Sequence, residues 1–479
     1  MEPESVDAPL RDVKLCQHCV SNFSRQQLRP GPILGIALTL TLAACGSVPS
    51  VARSTPSRQS ASSAPKSVSP PDSTLGFPGP EVGVSEVYDI TFVRPNSGWG
   101  LASERSSNQD VVVRSTDGGR TWHSWGAALP PIGGGDHSAA SSLVVLLGGN
   151  GIGSNVADAV VSATGSSSVL VSTDRLRSWH RVSFPAPVLA VAAAPGTSWP
   201  GAPASLAIGV ADQPLWVLAG PLPASETKTQ VKMFGPPGRL VLFQLYPAQD
   251  AWKGSYGSLA GPSWIGRSAV AYAQLVRLST NDGYAIVDGV AANPTSPEGY
   301  APVALLQRTT TDAFRWQPIP EPCGRLDFHT PLSVVSLADL WLGCAGEPAV
   351  GNQLKTLQRS TDGGASWTTA WTGTDQGAVG VLKSGVPPAS ANIPITSGYL
   401  NEVVATSATS TYVALGRGGL LHTTDAGELW ETVVPHIGGS GGIQQLDVLD
   451  DADAWALVGG GRLWATTDGR HWRQIAGAP

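Results

Sequence analysis

A short turn-forming motif recurs along this chain and restricts the folds it can adopt. Residues 115–122 read Ser-Thr-Asp-Gly-Gly-Arg-Thr-Trp, and residues 360–367 are nearly a copy of them. The stretch 423–430 keeps Thr, Asp, Gly and Trp in the same order, and we expect it to be shifted by one residue relative to the other two copies. Looser versions, which lose a Gly or one residue of spacing, occur at 172–179, 310–316 and 466–472. Such repetition predicts a repeat architecture.

Each copy combines residues typical of a tight hairpin with a tryptophan. An apolar run such as 111–113 precedes the motif and predicts a strand. The Asp carboxylate can accept hydrogen bonds from N–H groups two or three residues later, and Gly supplies a backbone with positive φ. The Trp then begins the returning strand and buries a large surface against the neighbouring unit. We therefore interpret these residues as structural: Ser115, Asp117, Gly119, Trp122, Asp174, Trp179, Asp312, Trp316, Ser360, Asp362, Gly364, Trp367, Asp425, Trp430, Asp468 and Trp472.

A second periodic signal lies upstream, where an aromatic residue follows a polar turn. It occurs at Trp99, Trp252, Trp341 and Trp455, with Tyr284 and Tyr412 as substitutes. One unit then reads as four antiparallel strands, and the whole chain as an all-β protein with a single β-propeller. We place units at about 85–126, 136–184, 187–235, 239–318, 327–372, 397–435 and 443–476. This gives seven blades, or eight if the long fourth unit divides at Ala271. We expect residues 76–84 to add an outer strand to the last unit.

The unit resembles the Asp-box (BNR) repeat of β-propellers, Ser/Thr-x-Asp-x-Gly-x-x-Trp, over roughly residues 85–475. Sialidases, sortilin-type receptors, xyloglucanases and photosystem II assembly factors carry this repeat. The Gly98-Trp99 strand combined with the 115–122 hairpin is most similar to the photosystem II stability/assembly factor family and its non-photosynthetic relatives. The resemblance implies a chaperone-like assembly role in a phototroph. In a non-phototroph it implies only a shared fold.

The region near the N-terminus has the pattern of a bacterial secretion signal. Arg25 and Arg29 precede an apolar run at 33–42, which is too short to span a membrane comfortably. The run ends in Leu-Ala-Ala-Cys-Gly at 42–46, which matches a lipobox with Cys45 as the lipidated residue. More than one acyl chain gives stable anchoring. We therefore expect a lipoprotein on the extracytoplasmic face of the cell membrane. A non-cleaved anchor with an ordinary cysteine is the alternative.

These features divide the chain into three parts. Residues 1–44 are a signal region whose upstream part, with Cys16 and Cys19, we interpret as a mis-assigned start. Half of a zinc site and a redox pair are the alternatives for these two cysteines. Residues 45–81 are the lipidated cysteine and a flexible Ser-, Pro- and Ala-rich tether. Residues 82–479 are the propeller. Its only cysteines, Cys323 and Cys344, are expected to form a disulfide, with two buried free thiols as the alternative.

Composition and motif searches reduce the functional possibilities. Charged residues make up 14% of the chain, against roughly 25% in an average soluble protein. The net charge of −6 without a Lys or Arg cluster argues against a nucleic-acid partner. Residues 92–95, Phe-Val-Arg-Pro, have the wrong order for the first arginine of a sialidase, so Arg94 reads as a hairpin residue. The acids Asp447, Asp450, Asp451 and Asp453 lack the Gly and bidentate Glu of a calcium loop and are interpreted as turn residues.

The sequence thus predicts no catalytic residue, metal or cofactor. It favours a monomeric, membrane-tethered binding or assembly scaffold for a protein or a cell-envelope polymer. A glycoside hydrolase of sialidase or xyloglucanase type and a carbohydrate-binding sensor are the alternatives. The identity of the ligand does not follow from the residues.

Overall fold

Seven β-sheets make up the part of the chain that the structure describes. The computed structural model describes residues 79–477, with gaps at 105–108, 133–139, 148–156, 164–165, 194–207, 211–213, 221–239, 250, 259–269, 293–299, 311–314, 325–328, 347–352, 374–397, 417–418 and 435–441. No α-helix occurs there, only the 3-10 turns Val84–Glu86 and Pro247–Gln249. In this part, no helix is long and apolar enough to cross a membrane. The chain is a seven-bladed β-propeller, which confirms the predicted fold class.

The first two blades each consist of four antiparallel strands with one extra strand. Blade 1 contains β1 (Glu81–Val82), β2 (Val87–Arg94), β3 (Ser97–Glu104), β4 (Gln109–Ser115) and β5 (Trp122–Ser124). Blade 2 contains β6 (Ala140–Leu147), β7 (Ala157–Ala163), β8 (Ser168–Ser172) and β9 (His180–Ser183). β1 pairs with β5 at the outer edge of blade 1. The expectation that residues 76–84 extend the last blade is therefore wrong.

The boundary between blades 3 and 4 also differs from the predicted one. Blade 3 contains β10 (Val188–Ala192), β12 (Leu215–Ala219), β13 (Val241–Tyr246) and β14 (Ala251–Ser258). Between β10 and β12, β11 (Ile208–Val210) runs parallel to β6 of blade 2. Blade 4 contains β15 (Val270–Arg277), β16 (Gly283–Ala292), β17 (Tyr300–Thr309) and β18 (Gln317–Pro318). The chain does divide near Ala271, but the preceding strands complete blade 3, so the blade number stays at seven. Trp252 consequently lies on the fourth strand of blade 3, not on a second strand.

The last three blades follow the predicted boundaries closely. Blade 5 contains β19 (Leu332–Val334), β20 (Leu340–Ala345), β21 (Lys355–Ser360) and β22 (Thr368–Gly373). Blade 6 contains β23 (Leu400–Ala405), β24 (Thr411–Leu415), β25 (Gly419–Thr423) and β26 (Glu431–Val434). Blade 7 contains β27 (Ile443–Val448), β28 (Asp453–Val458), β29 (Arg462–Thr467) and β30 (Arg473–Ala476). In each, the strands pair in sequence order.

The hydrophobic core lies between the blades. The described apolar side chains form seven buried clusters, and each cluster joins two neighbouring blades, including blades 7 and 1. Successive residues of a strand face opposite sides of its sheet, so a strand between two blades can be apolar on both faces. β12, for example, is buried at every position. This arrangement explains the low content of charged residues, since mainly the turns and outer strands need polar side chains.

The ring closes by side-chain packing between blades 1 and 7. Phe92 stacks on Trp455 with ring centroids 3.8 Å apart and an interplanar angle of 3°. Trp122 meets the edge of the same Phe92 ring at 5.9 Å, and Trp455 Nε1 donates to the Gly118 carbonyl oxygen at 3.0 Å. No strand is exchanged between the two blades among the described pairings. Closure therefore depends on this seam.

Candidate functional site

The inner strands of the blades carry polar side chains toward the centre of the ring. An innermost strand has a free edge, and its buried N–H groups need acceptors. Glu402 on β23 accepts the Leu446 N–H of blade 7 at 2.6 Å. Gln445 on β27 accepts the Ile90 N–H of blade 1 at 2.8 Å. The inner strand of one blade thus supplies an acceptor for the next.

The same arrangement continues around the ring. Asp89 on β2 accepts the Leu143 N–H of blade 2 at 2.8 Å. Asp447 on β27 accepts the Phe92 N–H of blade 1. Between blades 4 and 5, Gln274 accepts the Leu332 N–H at 3.0 Å, and between blades 5 and 6, Ser333 accepts the Ala405 N–H at 2.8 Å. Carboxylate, amide and hydroxyl oxygens therefore perform one role, which we name inter-blade capping.

Three of the capping carboxyl groups line one cavity of about 160 Å³. It lies between blades 1, 2, 6 and 7, and the polar residues around it are Asp89, Thr91, Ser142, Glu402, Gln445 and Asp447. None of the described residues that line it is a lysine, an arginine or a histidine. The described lining of the cavity is therefore polar and acidic, without a basic side chain to offset its carboxyl groups.

Burial shifts the protonation of these acids. Desolvation raises the pKa of Asp89 from 3.8 to about 6, although hydrogen bonds from the Leu143 N–H and the Gln445 amide oppose the shift. Desolvation raises the pKa of Glu402 from 4.5 to about 8, and the charge of Asp89 adds to the effect. The pKa of Asp447 is also raised well above its usual value by burial, with Glu402 and Asp89 contributing. Near neutral pH the cavity therefore retains protons that exposed carboxyl groups would have lost.

The cavity acids were not found by the sequence analysis, which placed Asp447 in a turn. That assignment is wrong, because Asp447 is buried on β27 and its side chain reaches blade 1. Asp450 does sit in a turn, where its Oδ1 accepts the N–H groups of Ala452 and Asp453 at 2.8 Å. Asp451 accepts the Ser410 hydroxyl of blade 6 at 2.7 Å.

A signal for the missed residues does exist in the sequence. The inner strands begin with an apolar residue, any residue, a polar residue and another apolar residue: 87–90 reads Val-Tyr-Asp-Ile, 400–403 reads Leu-Asn-Glu-Val, and 443–446 reads Ile-Gln-Gln-Leu. The polar residue of each follows a register shift in the pairing with the second strand. Superimposing the starts of the units would have aligned Asp89, Glu402 and Gln445.

The recurrent motif forms a compact turn between the third and fourth strands of a blade. In blade 1, Asp117 Oδ1 accepts the N–H groups of Arg120 and Thr121, both at 3.0 Å. Ser115 Oγ accepts the Gly119 N–H at 2.8 Å, and Trp122 Nε1 donates to the Gly119 carbonyl oxygen at 3.1 Å. These contacts are all local to the turn.

Equivalent turns occur in blades 2, 5, 6 and 7. Asp174, Asp362, Asp425 and Asp468 each accept a motif hydroxyl and at least one backbone N–H. In blade 5 the Ser360 Oγ accepts the Gly364 N–H at 2.9 Å. The hydroxyl and N–H of Ser366, followed by the Ser360 hydroxyl, lower the pKa of Asp362 to about 2. Each Asp thus acts as a hydrogen-bond acceptor within its own blade.

Backbone conformation corrects one detail of the motif alignment. Gly427 has φ of 90°, close to the 93° of Gly119 and the 87° of Gly364, and its N–H also bonds to the motif hydroxyl. The turn at 423–430 is therefore not displaced by one residue. In blade 2, Leu176 fills the position of this glycine with φ of 62°. Asp312 lies outside the described residues.

The motif tryptophans pack toward the preceding blade. Trp179 Nε1 of blade 2 donates to the Ala127 carbonyl oxygen, and Trp430 Nε1 of blade 6 donates to the Ala370 carbonyl oxygen of blade 5. Trp367 of blade 5 donates to the Pro320 carbonyl oxygen, which follows blade 4, at 2.9 Å. Trp316 is buried against Trp216 of blade 3, and Trp472 packs in the cluster between blades 6 and 7. The motif residues are therefore distributed around the ring, with at most one set in each blade.

The two cysteines of the propeller form a disulfide. Cys323 and Cys344 have Cα atoms 5.2 Å apart, and both are buried between blades 4 and 5. Glu321 lies beside them and accepts the Cys323 N–H. Because the sulfur atoms are bonded to each other, neither is a thiolate that could bind a metal ion. Cys45, Cys16 and Cys19 lie outside the described residues.

No protein-family model and no curated protein match this chain. Solved structures do show similarity. YCF48 from Cyanidioschyzon merolae has a TM-score of 0.44 and 14% identity, covering 82% of this chain and 97% of its own. YCF48 bound to a D1 peptide gives the same score and identity, with 96% of its own chain covered. The Penicillium chrysogenum alpha-L-arabinanase complexed with arabinobiose has a TM-score of 0.35 and 14% identity, covering 70% and 93%. At these values no function transfers to this chain.

Proposed function

We propose that this protein is a lipid-anchored, extracytoplasmic propeller that binds a protein or a cell-envelope component without transforming it. The observation that carries the proposal is the engagement of the cavity acids. Asp89, Glu402 and Asp447 each accept a backbone N–H from the next blade, as the neutral side chains of Gln274 and Ser333 do elsewhere. Since amide and hydroxyl groups perform the same role at other blade junctions, we interpret the three carboxyl groups as structural acceptors that join neighbouring blades, and not as catalytic groups.

The two faces of the ring differ in the length of their connections. Strand directions alternate within a blade, so the motif turns lie on one face and the connections between second and third strands lie on the other. The segment 220–240 links the second and third strands of blade 3, and 374–399 links the fourth strand of blade 5 to the first strand of blade 6, so the strands that flank both segments end on this second face. Both segments are several times longer than a motif turn. Long surface connections on a rigid scaffold commonly carry binding residues. We therefore assign the partner to the face opposite the motif turns.

Site-specific photo-crosslinking in intact membranes tests this assignment. Leu354, which is 49% exposed, precedes β21 on the long-connection face, and Leu429, which is 59% exposed, lies in the motif turn of blade 6. Each would be replaced in turn by a photoreactive phenylalanine in the full-length chain. We expect one discrete crosslinked species from position 354 and none from position 429. Discrete crosslinks only from position 429, or from neither position, would contradict the assignment.

Anchoring at Cys45 requires its own test, because it is a sequence-based expectation. The wild-type chain and a Cys45→Ser variant would be labelled with a radioactive fatty acid, and membranes would be separated from soluble protein. We expect label and membrane association in the wild type only. Equal membrane association of both chains, with no label, would favour the uncleaved anchor.

A glycoside hydrolase is the second candidate, since one observation favours it. Glycosidases use two carboxyl groups, one of them kept protonated, and this cavity holds three carboxyl groups with raised pKa values. Incubation of the chain with purified envelope glycans would distinguish the candidates. Release of reducing ends that is lost in a folded Glu402→Gln variant would establish the enzyme, and no release would agree with the binding function.

A further inference from the structure

We propose that the three cavity carboxyl groups form a pH-sensitive seal of the ring, which holds blades 6, 7, 1 and 2 together when protonated and loosens them when ionised. The seal consists of Asp89, Glu402 and Asp447. This inference is independent of the proposed binding function, because it concerns the integrity of the frame.

The geometry places part of the seal at the junction of blades 7 and 1, where the ring closes. Blades 7 and 1 contain the two ends of the propeller chain, so no short connection joins them. Gln445 and Asp447 bond to Ile90 and Phe92 across a separation of 355 residues. Gln445 Nε2 of blade 7 also donates to Asp89 Oδ1 of blade 1 at 2.8 Å, so one of the three acids takes part in the contact between these two blades. A change in these side chains therefore acts directly on ring closure.

Nothing described near the cavity compensates additional negative charge. Among the described ionisable groups outside the seal, Tyr88 interacts electrostatically with Asp89, and Tyr272 interacts with Glu402. Tyr272 is partly buried on β15, where the charges of Asp288 and Glu402 add to the effect of desolvation in raising its pKa. His329 packs its ring on Tyr272 at 4.7 Å, and burial lowers its pKa, so it supplies no charge at neutral pH. Tyr88 has its pKa raised by burial and by Asp110 and Asp89.

Protonation preserves the inter-blade contacts, whereas ionisation adds repulsion. A protonated carboxyl group keeps an oxygen that accepts the N–H of the next blade, and it gains an O–H donor. When two or three of the groups are ionised in one small cavity, like charges repel at low effective dielectric. The other described capping contacts between blades 4, 5 and 6 include neutral Gln274, Gln353 and Ser333. The change with pH should therefore concentrate in the arc of blades 6, 7, 1 and 2.

One further buried acid provides a matched control. Asp288 on β16 accepts the Thr330 N–H at 2.9 Å between blades 4 and 5, and burial raises its pKa to about 7. It has the same chemistry as the seal but lies outside the cavity lining. An Asp288→Asn variant should leave the pH response of the seal unchanged.

Hydrogen exchange of the full-length chain between pH 5 and pH 8.5, corrected for intrinsic exchange rates, tests the seal. The reporters are the peptides that contain Ile90, Phe92, Leu143 and Leu446, and the references contain Val217 and Phe243, which pair between β12 and β13 of blade 3. We expect protection of the reporters to fall by about tenfold or more as pH rises, since one pKa unit corresponds to a tenfold change. The references should change less. Reporters that stay constant, or change no more than the references, would overturn the proposal.

Amide variants separate the seal from general effects of pH. The triple variant Asp89→Asn, Glu402→Gln, Asp447→Asn keeps every capping oxygen and should make reporter protection independent of pH. Glu402→Gln alone, as the milder change, should reduce the response if the triple variant folds poorly. Asp288→Asn and the exposed Glu81→Gln, which removes the same charge on β1, should respond like the wild type. A full response in the folded triple or single variant would refute the proposal.

Discussion

Ring closure by packing at the seam between blades 1 and 7 makes a quantitative prediction for Phe92. Its side chain is fully buried, stacks on Trp455 and meets Trp122 edge-on. Truncation of a buried Phe to Ala costs about 3–5 kcal/mol. Two aromatic contacts add about 0.5–1.5 kcal/mol each, which places Phe92→Ala near the upper end of that range.

The matched control is Phe243→Ala between blades 2 and 3. Phe243 is equally buried and makes an edge contact with Phe184 at 5.4 Å, but it lies away from the seam. Urea unfolding followed by tryptophan fluorescence would give the free energy of each variant. We expect a loss of about 3–5 kcal/mol for both, with the larger loss for Phe92→Ala. Hydrogen exchange should show selective loss of protection in β2 and β28 only for Phe92→Ala. A cost below about 1 kcal/mol for Phe92→Ala, with a normal cost for Phe243→Ala, would refute closure by packing.

Three further predictions follow from the turns, the cavity and the disulfide. Gly119→Ala should lower the free energy of unfolding, because Gly119 has φ of +93° and the new Cβ would lie 2.6 Å from Leu463 Cδ2. Conversely, Ala426→Gly should raise the free energy of unfolding by about 1 kcal/mol, because Ala426 adopts φ of 67°, which favours glycine. Burial raises the pKa of Glu402 from 4.5 to about 8, so its contribution to stability is fully present below pH 4.5 and is lost as pH rises toward 8. In urea titrations, the free energy of unfolding of Glu402→Gln should therefore exceed that of the wild type by at most about 5 kcal/mol at pH 8 and should differ little from it at pH 4.5. Reduction of the Cys323–Cys344 bond should lower the free energy of unfolding by about 3 kcal/mol, measured with and without reductant; no change would mean that the bond is absent.

The sequence predicted the seven-bladed fold because the motif Asp and Trp recur, four or five residues apart, in six of the seven blades. It failed at the boundary of blades 3 and 4 for a specific reason. Blade 3 has a 3-10 turn at Pro247–Gln249 where other blades have the motif turn, and the following Asp-Ala-Trp at 250–252 imitates the start of a second strand. Local pattern therefore assigned β14 to the wrong strand position.

The remaining errors concern contacts between elements, which local pattern does not encode. β1 can extend the outer edge of any blade with a free strand, and only its position near β5 selects blade 1. Asp89 and Glu402 look like ordinary polar residues of half-buried strands. Their role depends on which backbone N–H of the next blade lies opposite them, and that is decided by how neighbouring blades pack.

The central claim is that the cavity acids belong to the frame and do not contact the ligand. Photo-crosslinking from position 354 at pH 6 in the triple variant Asp89→Asn, Glu402→Gln, Asp447→Asn tests it most directly. If the claim holds, the folded variant gives the same crosslinked species with the same yield as the chain with wild-type acids. Loss of that species from a variant that remains folded would show that the carboxyl groups act on the partner, and would contradict the account.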